Sequence, residues 1–479
     1  MRRSAATVAV LATAAATGLL VTAGNAAQGS CRIPQPEQAR FAAPTYIDTT
    51  RAGGEPVSVV AGDGSIIVSS HAGTTHLYKD PAAAPGAGDF AVEYANQTLN
   101  WRSADGGKTW KYVGLAGQEH GPHSATSTGF SDPDLTIDDG GRIYNTEIDL
   151  ANDAVFSSSD DGQSWARANP EVSPGDRPWV TGAGEDEVYL FVAGSSLLYH
   201  STDGGLTFTL VNNGNVPAYG KLLRDPANRR TGLIGPMPEG GVAISADGGA
   251  TWKSYKAPPT EHTYFFPAIG ADRAGNIYMA TAGGYKGSGD KKQEGEVTFN
   301  YFNRKTQSWW KTPVRMATGP GDKMWAWLIA GDDGRAAIVW YETTDGKSFT
   351  IRAAVTTNAH GSDVRCGDGS VVHVGPKFSN VNASGRAIHQ GAICLGGTGC
   401  NAETDFAQGD RRLGDFFTVN FDHTGRLFIV SGDTMLRAPG GGPKPVSNPI
   451  FIAQTAGASM LEHPDAVRPT RPLCALPNC

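Results

Sequence analysis

The chain has 479 residues and a formal charge of −7, with 40 Lys+Arg against 47 Asp+Glu, so no basic field favours nucleic acid. Charged residues are only 18% of the total while 62 Gly and 29 Pro are present, a balance that suits many short strands joined by tight turns. No stretch beyond the N-terminus is long and apolar enough to span a bilayer as a helix.

Arg2 and Arg3 precede an Ala/Leu/Val-rich stretch that runs to about Val21, followed by the small residues Ala23 to Ala27. This order predicts a secretory signal peptide over 1–27, with cleavage between Ala23 and Gln28, and an exported protein. Residues 28–50 read as a leader outside the repeats. The leader contains Cys31, whose preceding Gln28-Gly29-Ser30 does not match a lipid-attachment box.

From there a ten-residue frame recurs. Pro56, Pro133, Pro178 and Pro267 each stand ten residues before an apolar residue that begins a strand, namely Ile66, Ile143, Val188 and Ile277. Trp325-Ala326 leading to Ala336 and Phe416-Phe417 leading to Leu427 fit without proline, and Leu223 with Leu233 is a fainter copy. A second repeat, Ser-x-Asp-x-Gly-x-(Thr/Ser)-(Trp/Phe), reads Ser103-Asp105-Gly107-Thr109-Trp110, Ser158-Asp160-Gly162-Ser164-Trp165, Ser201-Asp203-Gly205-Thr207-Phe208 and Ser245-Asp247-Gly249-Thr251-Trp252. Its Asp accepts turn amides, its Gly takes positive φ, its hydroxyls tie the turn ends and its aromatic ring packs on a neighbour. Remnants are expected at Thr343-Asp345-Gly346-Ser348-Phe349 and around Ser308-Trp309.

The second repeat resembles the Asp-box repeat of bacterial neuraminidases, and the chain is similar to secreted Asp-box propellers of the sialidase-like superfamily. The resemblance and the frames together predict an all-β fold, a β-propeller of four-stranded blades, with seven blades favoured and six as the alternative. The propeller spans 51–456 as one domain, with an insertion at 361–408 and a Pro/Cys-containing tail at 457–479. Six cysteines in an exported chain allow three disulfides. Cys31 is expected to pair with a tail cysteine, Cys474 or Cys479, and Cys394 with Cys400 to close a local loop.

In a propeller the first strand of each blade lines the axis, so the columns around the frame proline supply the candidate site. Asp132, Asp134 and Asp176 are the acid/base candidates, and Asp132 and Asp134, two apart on a strand, are expected to share a face. Glu55, Arg177, Trp179, Trp325, Arg411, Arg412 and Asp415 are the substrate-binding candidates, with arginines able to hold a sugar carboxylate in bidentate fashion. The competing structural readings are neutralising Asp–Arg pairs at a blade mouth and tryptophans packed between blades. His120 and His123 read as solvated loop histidines, and Tyr341-Glu342 as strand neighbours facing opposite ways.

Sialidases open their first blade with an aromatic-Arg-Ile-Pro motif whose Arg grips the sialic carboxylate. Here the matching positions are Gly53-Gly54-Glu55-Pro56, so the arginine position holds Gly54. Cys31-Arg32-Ile33-Pro34 carries the letters but lies outside every blade. Two readings stay open: exo-sialidase-like glycoside hydrolysis of an extracellular glycan or glycoconjugate, and a non-catalytic glycan- or protein-binding propeller. A polysaccharide lyase, with His262 or Tyr264 as base, ranks third. No cofactor or metal is expected, with structural calcium left open. The expected state is a monomer.

Overall fold

A computed structural model describes residues 31–71, 98–114, 131–149, 152–173, 175–260, 267–283, 294–395, 410–437, 441 and 446–473. Seven antiparallel sheets of four-stranded design, in three of which the outer edge is shared by two segments, form a seven-bladed β-propeller without a helix among the described residues. The inner strands are Gly54–Val60, Ser131–Ile137, Pro178–Gly182, Leu223–Arg224, Ala268–Ala271, Lys323–Ala330 and Thr418–Phe421.

The ten-residue frame has a direct structural cause. In six blades the first strand turns into the second with the same pairing, Val60↔Ile66, Ile137↔Ile143, Gly182↔Val188, Ala271↔Ile277, Ala330↔Ala336 and Phe421↔Leu427. Blade four pairs Arg224 with Leu233 across a longer turn, which is why its copy is faint.

The core is the set of interfaces between blades. Ile66, Val68 and Trp101 of blade one pack on Phe428, Val430 and Phe451 of blade seven. Val339, Tyr341 and Ile351 of blade six pack on Ile429, Ile450 and Ile452 of blade seven. Each such side chain, when fully buried, contributes about 1.5–3 kcal/mol.

The four Ser-x-Asp-x-Gly turns join third to fourth strands and reinforce these interfaces. In the second copy Asp160 accepts Ser158 Oγ at 2.8 Å, Ser164 N at 3.0 Å and Ser164 Oγ at 2.5 Å, while Ser158 Oγ accepts Gly162 N at 3.0 Å. A Cβ on Gly162 would stand 2.6 Å from Ile67 of blade one, so the absence of a side chain sets how closely the blades approach. The expected remnant at 343–349 is not such a turn. It joins the second strand Ala336–Glu342 to the third strand Ser348–Thr356, at the opposite end of the blade, with Asp345 accepting Thr343 Oγ1 at 2.9 Å.

Two terminal segments differ from expectation. Arg40–Phe41 and Thr45–Tyr46, placed by the sequence reading in a leader, pair with Asn448–Ala456 and supply the outer strands of blade seven. The ring is therefore closed by strands from both ends of the chain. The segment after 456 runs along the first-to-second-strand turns: Asp332 N bonds Met460 O, Arg273 pairs with Asp465, Arg468 N bonds Gly62 O and Arg468 pairs with Asp161 at 2.6 Å.

A separate small unit comprises residues 31–34 together with 363–374, the latter from the hairpin Ser362–Arg365 and Val371–Val374. Here Cys31 is bonded to Cys366, not to a tail cysteine. Spacing alone does not fix cysteine connectivity, and the tail up to residue 473 is engaged by the blade turns just described. Cys394 is disulfide-bonded; Cys400, Cys474 and Cys479 lie outside the described residues. No helix among the described residues is long and apolar enough to cross a membrane.

Candidate functional site

Four of the blade starts share a backbone feature that sequence patterning does not reveal. Glu55, Asp132, Arg177 and Trp325 all have positive φ, between 48° and 60°, a region that non-glycine residues enter at a cost. In blades one, two and six the strand pairing also slips at this point, between Gly54 and Val57, Ser131 and Asp134, and Met324 and Trp327. Such bulges re-aim side chains at the end of a strand. In blades one and two the result is a pair of carboxyls, Glu55 and Asp132, joined by a side-chain hydrogen bond.

Around this pair stand groups from blades one, two, three and seven. Asp415 N donates to Glu55 Oε1 at 2.7 Å. Arg177 and Arg411 each pair with one oxygen of Asp415, and Arg411 Nη2 lies 3.9 Å from Glu55 Oε1. Asp176, exposed at the rim, is hydrogen-bonded to Asp132. The Tyr219 phenol, half-buried before blade four, is hydrogen-bonded to Arg177.

The electrostatics follow from burial and from an excess of carboxyls. Burial, and then the charge of Glu55, push Asp132 up to about 7. Burial and the neighbouring Asp132 push Asp176 up to about 6. Asp153, buried with neither oxygen hydrogen-bonded, is pushed up to about 8 by burial and by Asp132 and Asp176. Burial works against the charge of Asp415, but Arg411 and Arg177 outweigh it and hold its carboxyl below the usual range. Glu55 is raised by burial and by Asp415. His71 lies with Nε2 3.1 Å from Glu55 Oε2, and burial pushes it down to about 4, so the ring is neutral.

Glu55, Asp132 and Asp415 bring carboxylate oxygens within 4.8 Å of one another, the spacing of a cation site. The two guanidiniums already occupy Asp415 and supply positive charge there. This donor set suits shared protons better than a divalent ion.

Six expected site residues thus converge at the mouth: Glu55, Asp132, Asp176, Arg177, Arg411 and Asp415. The other four lie elsewhere. Asp134 does not share the surroundings of Asp132, because the bulge and the positive φ break the two-residue alternation. Its carboxylate is held by Lys221 Nζ at 2.6 and 2.8 Å and by Val180 N at 2.9 Å. Trp179 is buried, packed on Phe416 at 5.4 Å and Trp327 at 6.2 Å, so three blades plug the axis with aromatic rings. An axial cavity of about 210 Å³, lined by Trp327, Val57, Leu135 and Ile269 among others, adjoins that plug. Trp325 is buried against Tyr341. Arg412 Nε is bonded to Asp410 at 2.7 Å, a buried neutralising pair.

Tyr341 is fully buried with its phenol on Ser431 at 2.6 Å, and Glu342 faces Trp340 Nε1 at 3.1 Å. His120, His123, His262 and Tyr264 fall outside the described residues. The sequence reading missed His71, Asp153 and Tyr219. His71 was readable in principle, since it ends the second strand and so lies opposite Gly54, beside the frame column.

No protein-family model matches the chain, and no curated protein matches it either. Solved structures of similar fold include a glycoside hydrolase of family GH74 from Niastella koreensis, 15% identical, with TM-score 0.47, covering 82% of this chain and 53% of that one. A streptogramin B lyase is 10% identical, with TM-score 0.44, covering 86% of this chain and 98% of that one. A fungal alcohol oxidase in complex with copper is 10% identical, with TM-score 0.49, covering 87% of this chain and 76% of that one. The chain spans about half the length of the GH74 enzyme. Likeness at this distance carries no argument about what this chain does.

Proposed function

We propose that this chain is a secreted, sialidase-like propeller that hydrolyses a glycosidic bond of an extracellular glycan at the mouth described above. The observation that carries the reading is Asp176, a rim carboxyl exposed to solvent, hydrogen-bonded to the buried Asp132 and raised to about 6. A carboxyl in that range is suited to hold a proton near neutral pH and pass it to a leaving oxygen. Because Asp176 and Asp132 touch, they act as one acid and not as two carboxyls flanking a bond. The second role falls to Tyr219, whose phenol is bonded to Arg177; burial raises this phenol above its ordinary value, and the Arg177 charge offsets part of that rise.

The substrate we infer is a neutral sugar in preference to a sialoside. Both guanidiniums are committed to Asp415, and the remaining carboxyls repel an anionic ligand. Fluorogenic glycosides, sialosides included, test this: Asp176→Asn should lower turnover at least 100-fold with the melting temperature unchanged. Turnover retained in that variant, or no fluorophore released from any glycoside by the parent, overturns the reading. The Tyr219–Arg177 pair also meets the requirement of a lyase, a tyrosine base beside an arginine, and unsaturated product from uronic-acid polymers would favour that second reading. Neither product favours a binding propeller.

A further inference from the structure

Behind Asp176 the carboxyls form a line that ends on a histidine. Asp176 is bonded to Asp132, Asp132 to Glu55, and Glu55 Oε2 lies 3.1 Å from His71 Nε2. The members come from blades three, two and one in turn. A hydrogen bond between two carboxyl groups requires a proton between them, so the two bonds of this line need two protons on three carboxyls. His71 has no exposed surface, and neither of its ring nitrogens completes a hydrogen bond.

We propose that Glu55 is a positioning residue that keeps Asp132 protonated, making Asp132 an internal proton store for Asp176. The proposal rests on the reading of Asp176 as the acid. When Asp176 gives its proton to a leaving oxygen, the Asp132 O–H proton moves to Asp176. Glu55 stays the carboxylate whose charge favours the Asp132 proton, and solvent later restores that proton to Asp132. No oxidant, metal or further reactant takes part.

Other charged groups face Asp132 as well. Arg177 and Asp415 act on it from blades three and seven, Asp153 from its own blade, and Tyr219 from the start of blade four. Arg411 acts on Glu55 and His71. Their sum favours protonation, since burial and the extra carboxyls raise Asp132 to about 7 against the pull of Arg177.

Infrared titration of the resting, full-length protein tests the store without any substrate. A carbonyl band of buried, protonated carboxyls should be present at pH 7, should lose intensity in Asp132→Asn, and should titrate at lower pH in Glu55→Gln. Absence of that band in the parent, or an identical band in both variants, overturns the proposal. Because no turnover is measured, this result is independent of whether the protein proves to be a glycosidase. If fluorogenic glycosides are cleaved, Glu55→Gln should also move the pH–rate profile about one unit downward with KM unchanged. An unmoved profile would again overturn it.

Discussion

Arg177 of blade three and Asp415 of blade seven, separated by 238 positions, form a buried ion pair at the propeller mouth. Asp415 gives its other oxygen to Arg411, so one carboxylate neutralises two guanidiniums. That sharing ties blades that are not sequence neighbours and removes both arginines from easy use as an anion clamp.

Asp415→Asn should therefore be costly. A neutral amide leaves two buried cations short of charge, and breaking a buried pair in this way costs about 3–5 kcal/mol. Urea unfolding measures the loss. Adding Arg411→Met to the same chain should restore part of it, because one orphaned cation is then removed. A double variant less stable than Asp415→Asn would contradict the shared-anion account.

Asp153 offers a test by pH. It is buried without a hydrogen-bond partner for either oxygen, and its carboxyl rises from 3.8 to about 8. The native state thus holds this proton more tightly than the unfolded chain. The resulting stability is present in full below about pH 4 and is lost as pH rises through about 8. Asp132, raised to about 7, acts in the same direction over a narrower window. Asp153→Asn cannot ionise, so its unfolding free energy in urea should exceed that of the parent at pH 9, by about 1–3 kcal/mol, and the advantage should vanish near pH 5. An advantage that is equal at both pH values would assign the effect to packing.

Much of the ring was legible because both repeats have local causes. The ten-residue frame reflects one strand-turn pairing, and the Ser-x-Asp-x-Gly motif encodes its own hydrogen bonds within eight residues. Ring closure was not legible. Arg40–Phe41 and Thr45–Tyr46 are too short to show alternation, and their partner lies at the far end of the chain. At the mouth, residue types were readable but directions were not. The residue before a proline ordinarily prefers extended backbone, so nothing in Glu55-Pro56, Asp132-Pro133 or Arg177-Pro178 announces a positive φ. That conformation is what separates Asp132 from Asp134. Asp153 was hidden for a different reason: its environment depends on how blade two meets blade three, where a Cβ added to Gly175 would stand 3.5 Å from Asp153 Oδ2.

The Asp-containing turns make a prediction that separates turn conformation from blade contact. Gly106 and Gly107 adjoin in the first such turn, with φ of +72° and +86°, so alanine is strained at either. They differ in what surrounds them. A Cβ on Gly106 meets nothing within 4 Å, whereas on Gly107 it would stand 2.2 Å from the Phe451 ring of blade seven. Gly106→Ala should cost about 1 kcal/mol, the conformational penalty alone. Gly107→Ala should add about 1–3 kcal/mol of overpacking, because the Phe451 ring is wedged between Trp110 and Phe428 and has little room to retreat. Urea midpoints of the two variants give the difference directly. Equal losses would mean that the turn shapes its own blade and does not set the distance to the next. A larger loss at Gly107 places the motif in the joint that holds the ring together, at the end of the blade away from the acidic mouth, so the carboxyl band of the mouth should be unchanged in both.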